Sequence, residues 1–240
     1  MKVRTLAPWF ALLSAALLMG CGPKPTEAPK DAETKPEEQA TKAPDPSEIP
    51  ENLKHGGFKF YGLDSTAEET YELDRNGVKL EGAQKAVFAG MVDGKATFTI
   101  ERSAGLSDLG NETLEVREDG IYLVKSGENT VDPAVLSLPK DPKVGDSWPV
   151  SAQFTGPTGE KVSIKATQKV TKQEKLTTKA GDFDCLVVTM SGELTSGDKK
   201  SPVTGTSWYA SGVGTVKLTV TSKDADGKPT SYSVTLIKRG

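Results

Sequence analysis

Side chains suited to nucleophilic or acid–base chemistry are scarce in this sequence. The 240 residues contain two cysteines, Cys21 and Cys185, and one histidine, His55. Catalytic Ser-His-Asp and Cys-His sets place an imidazole beside the nucleophile, and zinc sites need several Cys or His ligands. One histidine at the edge of the folded region and one thiol within it cannot supply such a set. The sequence therefore predicts no cofactor and no metal site, and favours a protein that is not an enzyme.

Carboxylates offer two weaker routes to chemistry. Residues 224–227, Asp-Ala-Asp-Gly, resemble the start of a calcium loop but lack its third ligand position and its terminal Glu. A hairpin turn explains the same four residues. Two carboxylates could hydrolyse a glycosidic bond, but the pattern singles out none of the many acidic residues. A carboxylate-based hydrolase is therefore the least favoured functional alternative.

The N-terminus has the features of an export signal. Lys2 and Arg4 precede an apolar run of eleven residues, 9–19. This is the length of a secretory apolar segment and is shorter than the roughly 20 residues of a membrane-spanning helix. The run ends in Leu18-Met19-Gly20-Cys21, which does not provide an ordinary small-x-small signal-peptidase site.

Residues 18–21 resemble the lipobox of bacterial lipoproteins. The resemblance implies a signal peptide of residues 1–20, cleavage before Cys21, and a diacylglycerol on the Cys21 sulfur. Two or three acyl chains such as palmitate anchor firmly, since each buried CH₂ contributes about 0.8 kcal/mol. The expected partner is a membrane, bound through this lipid anchor. Gly22, rather than an Asp that tends to retain lipoproteins at the inner membrane, favours the outer membrane, facing the periplasm or the cell surface.

A polar segment separates the anchor from the folded region. Residues 22–54 contain seven prolines, eight Asp or Glu, five Lys and no aromatic residue. Such a composition cannot bury enough apolar surface to offset its ordering entropy, so residues 21–54 are predicted to be a disordered tether. Residues 55–240 then form a single domain with a net charge of −2. This balance gives no reason to expect a basic face for nucleic acid, which is not an expected partner.

Alternation of apolar and polar residues is the dominant pattern of residues 55–240. Val162, Ile164 and Val170 share one face of a predicted strand, and lysine and hydroxyl side chains share the other. Residues 96–101 and 216–221 alternate in the same way. Turn-forming dipeptides lie between such runs, at Asn76-Gly77, Asp93-Gly94, Asp119-Gly120 and Asp226-Gly227.

These patterns predict an all-β domain. We expect an antiparallel curved sheet of about ten to twelve strands, forming a half-barrel or barrel around one core. Residues 47–54 and 133–138 are the only segments expected to form a helical turn or two. No helix that could plug the barrel is predicted.

The strand around Cys185 differs from the other predicted strands, which have one apolar face and one polar face. Leu186 and Val188 line one face while Cys185 and Val187 line the other, which predicts that this strand is covered on both sides. A buried free thiol explains an unpaired cysteine in an exported protein. A mixed or intermolecular disulfide is the alternative.

Three segments, 138–148, 179–188 and 207–217, resemble a group of uncharacterised bacterial envelope proteins. The fold of that group is similar to the open half-barrel of LolA/LolB-like lipoprotein carriers. The resemblance implies an envelope function and supplies no catalytic residue. Within the segments we expect structural roles for a strand-starting tryptophan, a residue after a turn, the thiol, an aromatic pair and two glycines at a bend: Trp148, Phe183, Cys185, Trp208, Tyr209, Gly212 and Gly214.

The favoured function is therefore that of a non-enzymatic, membrane-anchored envelope lipoprotein. Its curved sheet would bind an apolar ligand, such as a lipid, or an envelope protein. The alternative is a structural or accessory subunit of an envelope assembly. A large apolar cavity would favour the first function, and a filled core would favour the second.

Replacing the lipobox thiol tests the anchor. Cys21→Ala removes the only atom that can accept the diacylglycerol, so the variant should lose acylation and either leave the membrane fraction or stay uncleaved. Metabolic labelling with a radioactive fatty acid, followed by fractionation, measures both effects. A variant that stays in the membrane fraction at the mature size would show that the anchor lies elsewhere.

Overall fold

The computed structural model describes residues 44–155, 161–223 and 227–240. The signal, Cys21 and the first part of the expected tether lie outside these residues, as do Asp224 and Asp226. The described chain forms twelve strands. In chain order they are β1 (Glu69–Arg75), β2 (Val78–Val92), β3 (Lys95–Ala104), β4 (Glu112–Arg117), β5 (Gly120–Ser126), β6 (Asn129–Pro139), β7 (Ser147–Thr155), β8 (Lys161–Thr178), β9 (Gly181–Ser196), β10 (Lys199–Ala210), β11 (Gly214–Lys223) and β12 (Pro229–Lys238).

The twelve strands form one antiparallel sheet that closes on itself. Each strand pairs with its neighbours in the sequence, and β1 pairs with β12 to complete a barrel. Their register runs from Thr70 opposite Lys238 to Arg75 opposite Tyr232. The expected all-β fold of ten to twelve strands is confirmed. The open half-barrel implied by the resemblance is wrong, because the β1–β12 pairing leaves no free edge.

Hairpin turns connect the strands at three of the four predicted dipeptides, and the fourth, Asp226-Gly227, lies partly outside the described residues. Asn76 and Gly77 have φ angles of 52° and 86°, and Asp93 and Gly94 have 49° and 75°. Two successive positive φ angles are those of a type I′ turn, whose twist matches that of the flanking strands. At the dipeptide Asp119-Gly120, the turn ends at Asp119, and Gly120 is the first residue of β5.

The helical expectations fail in two places. Residues 133–138 lie within β6, so their expected helical turn is wrong. A short helix α1 (Gly56–Phe60) and two 3-10 turns, Pro46–Glu48 and Glu51–Leu53, precede β1. These pieces lie at one end of the barrel, where α1 contacts β5, β10 and β11. The helical turns expected in residues 47–54 are confirmed by the two 3-10 turns, whereas α1, and with it a helical plug, was not expected.

The folded region also begins earlier than expected. Ile49 and Leu53 are buried in the same core as the strands, although both lie in the segment assigned to the tether. The boundary expected at Lys54 is therefore displaced toward the N-terminus. The cause is the apolar contact that these two side chains make with the barrel, which outweighs the polar composition around them.

His55 fastens this plug to the barrel. Its Nδ1 accepts a hydrogen bond from the Phe58 amide at 3.1 Å, which caps α1, and its Nε2 lies 3.0 Å from the Arg117 carbonyl oxygen on β4. The Gly57 amide also donates to the Lys140 carbonyl. The single histidine thus has a structural role. At the opposite end of the barrel, the 3-10 turn Ser107–Leu109 buries Leu109.

The tip of the β8–β9 hairpin extends past the barrel body and folds against its outer wall. Lys179 at the tip lies 3.2 Å from Glu72 on β1, and the Trp208 indole on β10 donates to Glu174 on β8 at 2.6 Å. The free thiol of Cys185 is 1 % exposed. The coverage predicted for both faces of this strand is observed, and the hairpin tip explains it.

Docking of the plug can be tested at Gly214. Its φ is +93°, and a Cβ there would lie 2.9 Å from the Tyr61 carbonyl oxygen. Gly214→Ala should therefore lower the free energy of unfolding by about 2–4 kcal/mol, from backbone strain together with displacement of the plug. Urea unfolding measures the loss.

Gly94→Ala is the matched control, because Gly94 has a φ of +75° but a Cβ added there would have no neighbouring atom within 4 Å. Strain alone should cost about 1–2 kcal/mol at this position. Equal losses for the two variants would show that the plug does not depend on the close approach at Gly214.

Candidate functional site in the barrel interior

The barrel encloses a central cavity of about 140 Å³. Every one of the twelve strands contributes a side chain or backbone to its lining, as do Tyr61 after the plug helix and Leu109 in the opposite end turn. The cavity therefore lies in the middle of the molecule, between the plug and the turn Ser107–Leu109. Its lining combines an apolar surface with a group of polar side chains.

Arg102 on β3 is the centre of the polar group. Its Nη2 lies 3.1 Å from Glu112 Oε2, and the two side chains are only 11 % and 10 % exposed. Its Nε donates to Gln84 Oε1 at 2.9 Å and its Nη1 donates to the Gly110 carbonyl at 2.8 Å. A buried charge is costly unless it is paired and hydrogen-bonded. These three contacts therefore stabilise Arg102 within the barrel.

The sequence does contain a pattern that indicates this cluster, although a search for nucleophiles and metal ligands does not reveal it. Ala96, Phe98 and Ile100 lie on the inward face of β3, and Arg102 is the next residue on that face. In β4, Glu112 likewise precedes the buried Leu114 by two residues. A charged residue that continues an apolar face marks a buried polar site.

Tyrosine side chains also line the cavity, from Tyr61, Tyr71, Tyr209 and Tyr232. The rings of Tyr61 and Tyr209 stack with centroids 5.8 Å apart, and the Tyr71 hydroxyl donates to the Thr215 carbonyl at 3.0 Å. Burial raises the pKa of Tyr209 to about 12, and burial likewise raises the pKa values of Tyr61 and Tyr71 above their usual range. These three hydroxyls are therefore neutral at physiological pH and act as hydrogen-bonding groups.

The described lining of the cavity contains one carboxylate. It belongs to Glu112, and Arg102 holds it. A two-carboxylate hydrolase needs a second carboxylate facing the first. The part of the chain that the structure describes contains no group of three Asp, Glu, His or Cys residues placed to hold a metal ion.

No helix within residues 44–155, 161–223 and 227–240 is long and apolar enough to cross a bilayer.

Glu69 is a second buried carboxylate, but it lies at the barrel seam. Its Oε1 lies 3.4 Å from Arg239 Nε, and its Oε2 has no hydrogen-bond partner among the described residues. Because Glu69 starts β1 and Arg239 follows β12, this contact joins the two strands that close the barrel.

The seven residues for which the sequence predicted structural roles do not lie together in the structure. Tyr209 lines the cavity, whereas Trp208 lies on the outer wall with the Lys217 ammonium 5.5 Å from its ring centroid. The Trp148 indole donates to the Leu136 carbonyl at 3.0 Å, so it spans the seam between β7 and β6. The remaining four residues lie under the β8–β9 hairpin tip or in the turn that receives the plug: Phe183, Cys185, Gly212 and Gly214.

The buried tyrosines predict how stability depends on pH. In the unfolded chain tyrosines ionise near pH 10, whereas Tyr209 in the folded barrel has its pKa raised to about 12. The stability that comes from its neutral form is thus fully present below pH 10 and is lost as the pH rises toward 12. Urea unfolding between these limits should show a falling free energy of unfolding. Tyr209→Phe should flatten that decline, and an unchanged slope would contradict the assignment.

Residues 120–235 match the DUF3108-like family model. The match runs from the start of β5 into β12 and covers the three segments on which the resemblance rests. No curated protein matches the chain.

Two solved structures share the barrel fold. A candidate lipoprotein from Parabacteroides distasonis superposes with a TM-score of 0.51 and 14 % identity, over 75 % of this chain and 98 % of its own. A candidate exported protein from Bacteroides fragilis with a YmcC-like fold superposes with a TM-score of 0.51 and 12 % identity, over 73 % of this chain and 96 % of its own. At these identities the likeness concerns the fold, and the fold is one that candidate lipoproteins and exported proteins adopt.

Proposed function

We propose that this protein is a non-enzymatic lipoprotein of the cell envelope that holds a small amphipathic ligand inside its barrel. The anchor would be the acylated Cys21, and the membrane would be the outer membrane. The lipobox-like residues 18–21 support the anchor, and the shared fold with a candidate lipoprotein is in keeping with it. The observation that carries ligand binding is the enclosed cavity with a mixed polar and apolar lining.

The size of the cavity limits the ligand. Its volume of about 140 Å³ is close to the roughly 150 Å³ of an engineered protein cavity that binds benzene. It is smaller than the roughly 300–1,000 Å³ of pockets that hold drug-sized molecules. The ligand is therefore of about six to ten non-hydrogen atoms. A complete phospholipid does not fit, which narrows the apolar ligand expected from the sequence.

The lining also indicates that the ligand has an apolar part and a polar part. Ile164, Val188 and Met190 give an apolar wall on β8 and β9. Gln168 and Ser207, with the Tyr209 hydroxyl, lie in the same lining and offer neutral donors and acceptors. The charge of Arg102 is already balanced by Glu112, so a neutral polar group suits the site better than an ionised one.

The plug provides the route into the cavity. Tyr61 lines the cavity and directly follows α1, as the C-terminal cap of that helix. Movement of the plug away from β10 and β11 would therefore withdraw one wall of the cavity. The short plug is held by few hydrogen bonds, among them those of His55, whereas β9 and β10 in the wall pair along twelve positions. The wall is least paired between β6 and β7, where Asp132 and Gln153 are the only partners among the described residues.

An accessory subunit that acts through its outer wall is the second candidate. Turns and the plug lie at the two ends of the barrel, and Arg102 is satisfied by its own neighbours. A barrel of this kind can also be a rigid scaffold whose polar centre only fixes the fold. The two candidates differ in whether the cavity is occupied.

Blocking the cavity from one strand tests the proposal. Val188 lines the cavity, so Val188→Phe places a ring in the space that the ligand would occupy. Native mass spectrometry of protein purified gently from the envelope should show an added small mass on the unsubstituted protein and none on Val188→Phe.

Thr189→Phe is the matched control, because Thr189 is the next residue on β9 and alternation directs it to the outer face. That variant should keep the added mass. An unsubstituted protein with no added mass, or a Val188→Phe variant that retains it, would reject interior binding and leave the accessory subunit.

A further inference from the structure

Charge is unevenly divided around the barrel wall. Residues 69–139, which hold β1–β6, contain 13 Asp or Glu and seven Lys or Arg. Residues 147–238, which hold β7–β12, contain eight Asp or Glu and twelve Lys. The near-neutral net charge of the folded region hides this difference. One half of the wall is acidic and the other half is basic.

The basic half has its densest lysines on β8. Lys161, Lys165 and Lys169 are exposed and lie four residues apart, so alternation puts all three on the outer face. At about 3.3 Å per residue they form a line with steps of about 13 Å. Lys165 and Lys169 form no ion pair with any other described residue. We call these three side chains the β8 lysine line.

Hydroxyl residues flank this line on β7, and a hydroxyl residue and one ion-paired carboxylate flank it on β9. Lys169 lies between Ser147 on β7 and Thr189 on β9 in the strand register. Lys165 lies between Ser151 and Glu193, and Glu193 is held by Lys200 at 2.8 Å. Strand β7 carries no charged residue. The line therefore faces solvent as a positive strip with hydrogen-bonding groups beside it and little local charge compensation.

We propose that the β8 lysine line docks the barrel side-on against the anionic phosphates of lipid headgroups. The proposal rests on the proposed lipid anchor in one respect: the anchor keeps the domain close to a membrane, where weak attraction is effective. Lysines near an anionic surface each strengthen binding by about fivefold. Hydroxyl side chains beside the line can hydrogen-bond to phosphate oxygens. The acidic β1–β6 half would then face away from the membrane.

A lipid surface suits this face better than an acidic protein does. The line lies along a continuous strand, with exposed Ser, Thr and Lys around it and no large exposed apolar side chain among the described residues of β7–β9. Protein interfaces have a desolvated apolar or aromatic centre, which this face lacks. A charged plane needs no such centre.

The test uses the chain 21–240 with Cys21→Ser, made without its signal, so that neither acylation nor the anchor affects the result. Co-sedimentation with phosphatidylcholine vesicles, with and without phosphatidylglycerol, measures the docking. We expect binding to the anionic vesicles only, with a loss as salt is raised. The triple variant Lys161→Gln, Lys165→Gln and Lys169→Gln should bind at least about tenfold more weakly.

The control is Lys79→Gln, Lys85→Gln and Lys95→Gln, which makes the same change in net charge on β2 and β3 of the acidic half. Its binding should stay close to that of the unsubstituted chain. Equal losses in the two triple variants, or no binding to anionic vesicles, would overturn the proposal. Failure of acylation or of interior ligand binding would leave this measurement unchanged, so the outcomes are distinguishable.

Discussion

The pairing of β1 with β12 is the interaction on which the rest of this structure depends. It joins the first and last strands of the chain across a register that runs from Thr70 to Arg75, and the Glu69–Arg239 contact lies beside it. Once the sheet is closed, no edge remains to pair with another strand. The interior becomes a compartment with two open ends, and both ends must be covered before apolar side chains can be buried there. The plug and the turn Ser107–Leu109 meet that requirement.

Closure also decides what the interior can do. Twelve strands surround more space than their side chains fill, and a cavity of about 140 Å³ remains. The Arg102–Glu112 pair is stable there because its partners are built into the wall, which gives the barrel a polar centre. A ligand of the proposed kind would have to be small to fit this volume. Under the proposed anchoring, the outer wall would be the surface that meets a membrane or a protein.

The local features of this fold could be read from the sequence, whereas its long-range features could not. Alternation around Val162 and Ile164 identified β8, and Asn76-Gly77 identified a hairpin, because both depend on neighbouring residues. The helix Gly56–Phe60 was missed because it is short and begins with two glycines, which are poor helix formers. It forms through contacts with β5, β10 and β11, which come much later in the chain. The sequence left open whether the sheet forms a half-barrel or a closed barrel, because closure depends on two strands that lie more than 150 residues apart.

The candidate site was missed for a related reason. Arg102 continues the inward face of β3 beyond Ile100, but its partners Glu112 and Gln84 lie on other strands, so only the fold brings them together. The sequence predicted a structural role for Tyr209, and the structure places it in the lining of the cavity, which was not foreseen.

A crystal structure of the protein purified from its own envelope without refolding would test the central claim most directly. We expect compact non-protein density of about six to ten atoms inside the barrel, between the apolar wall at Val188 and the polar group at Tyr209 and Arg102. Density for ordered water alone would contradict it, as would an extended acyl chain that leaves the barrel through either end.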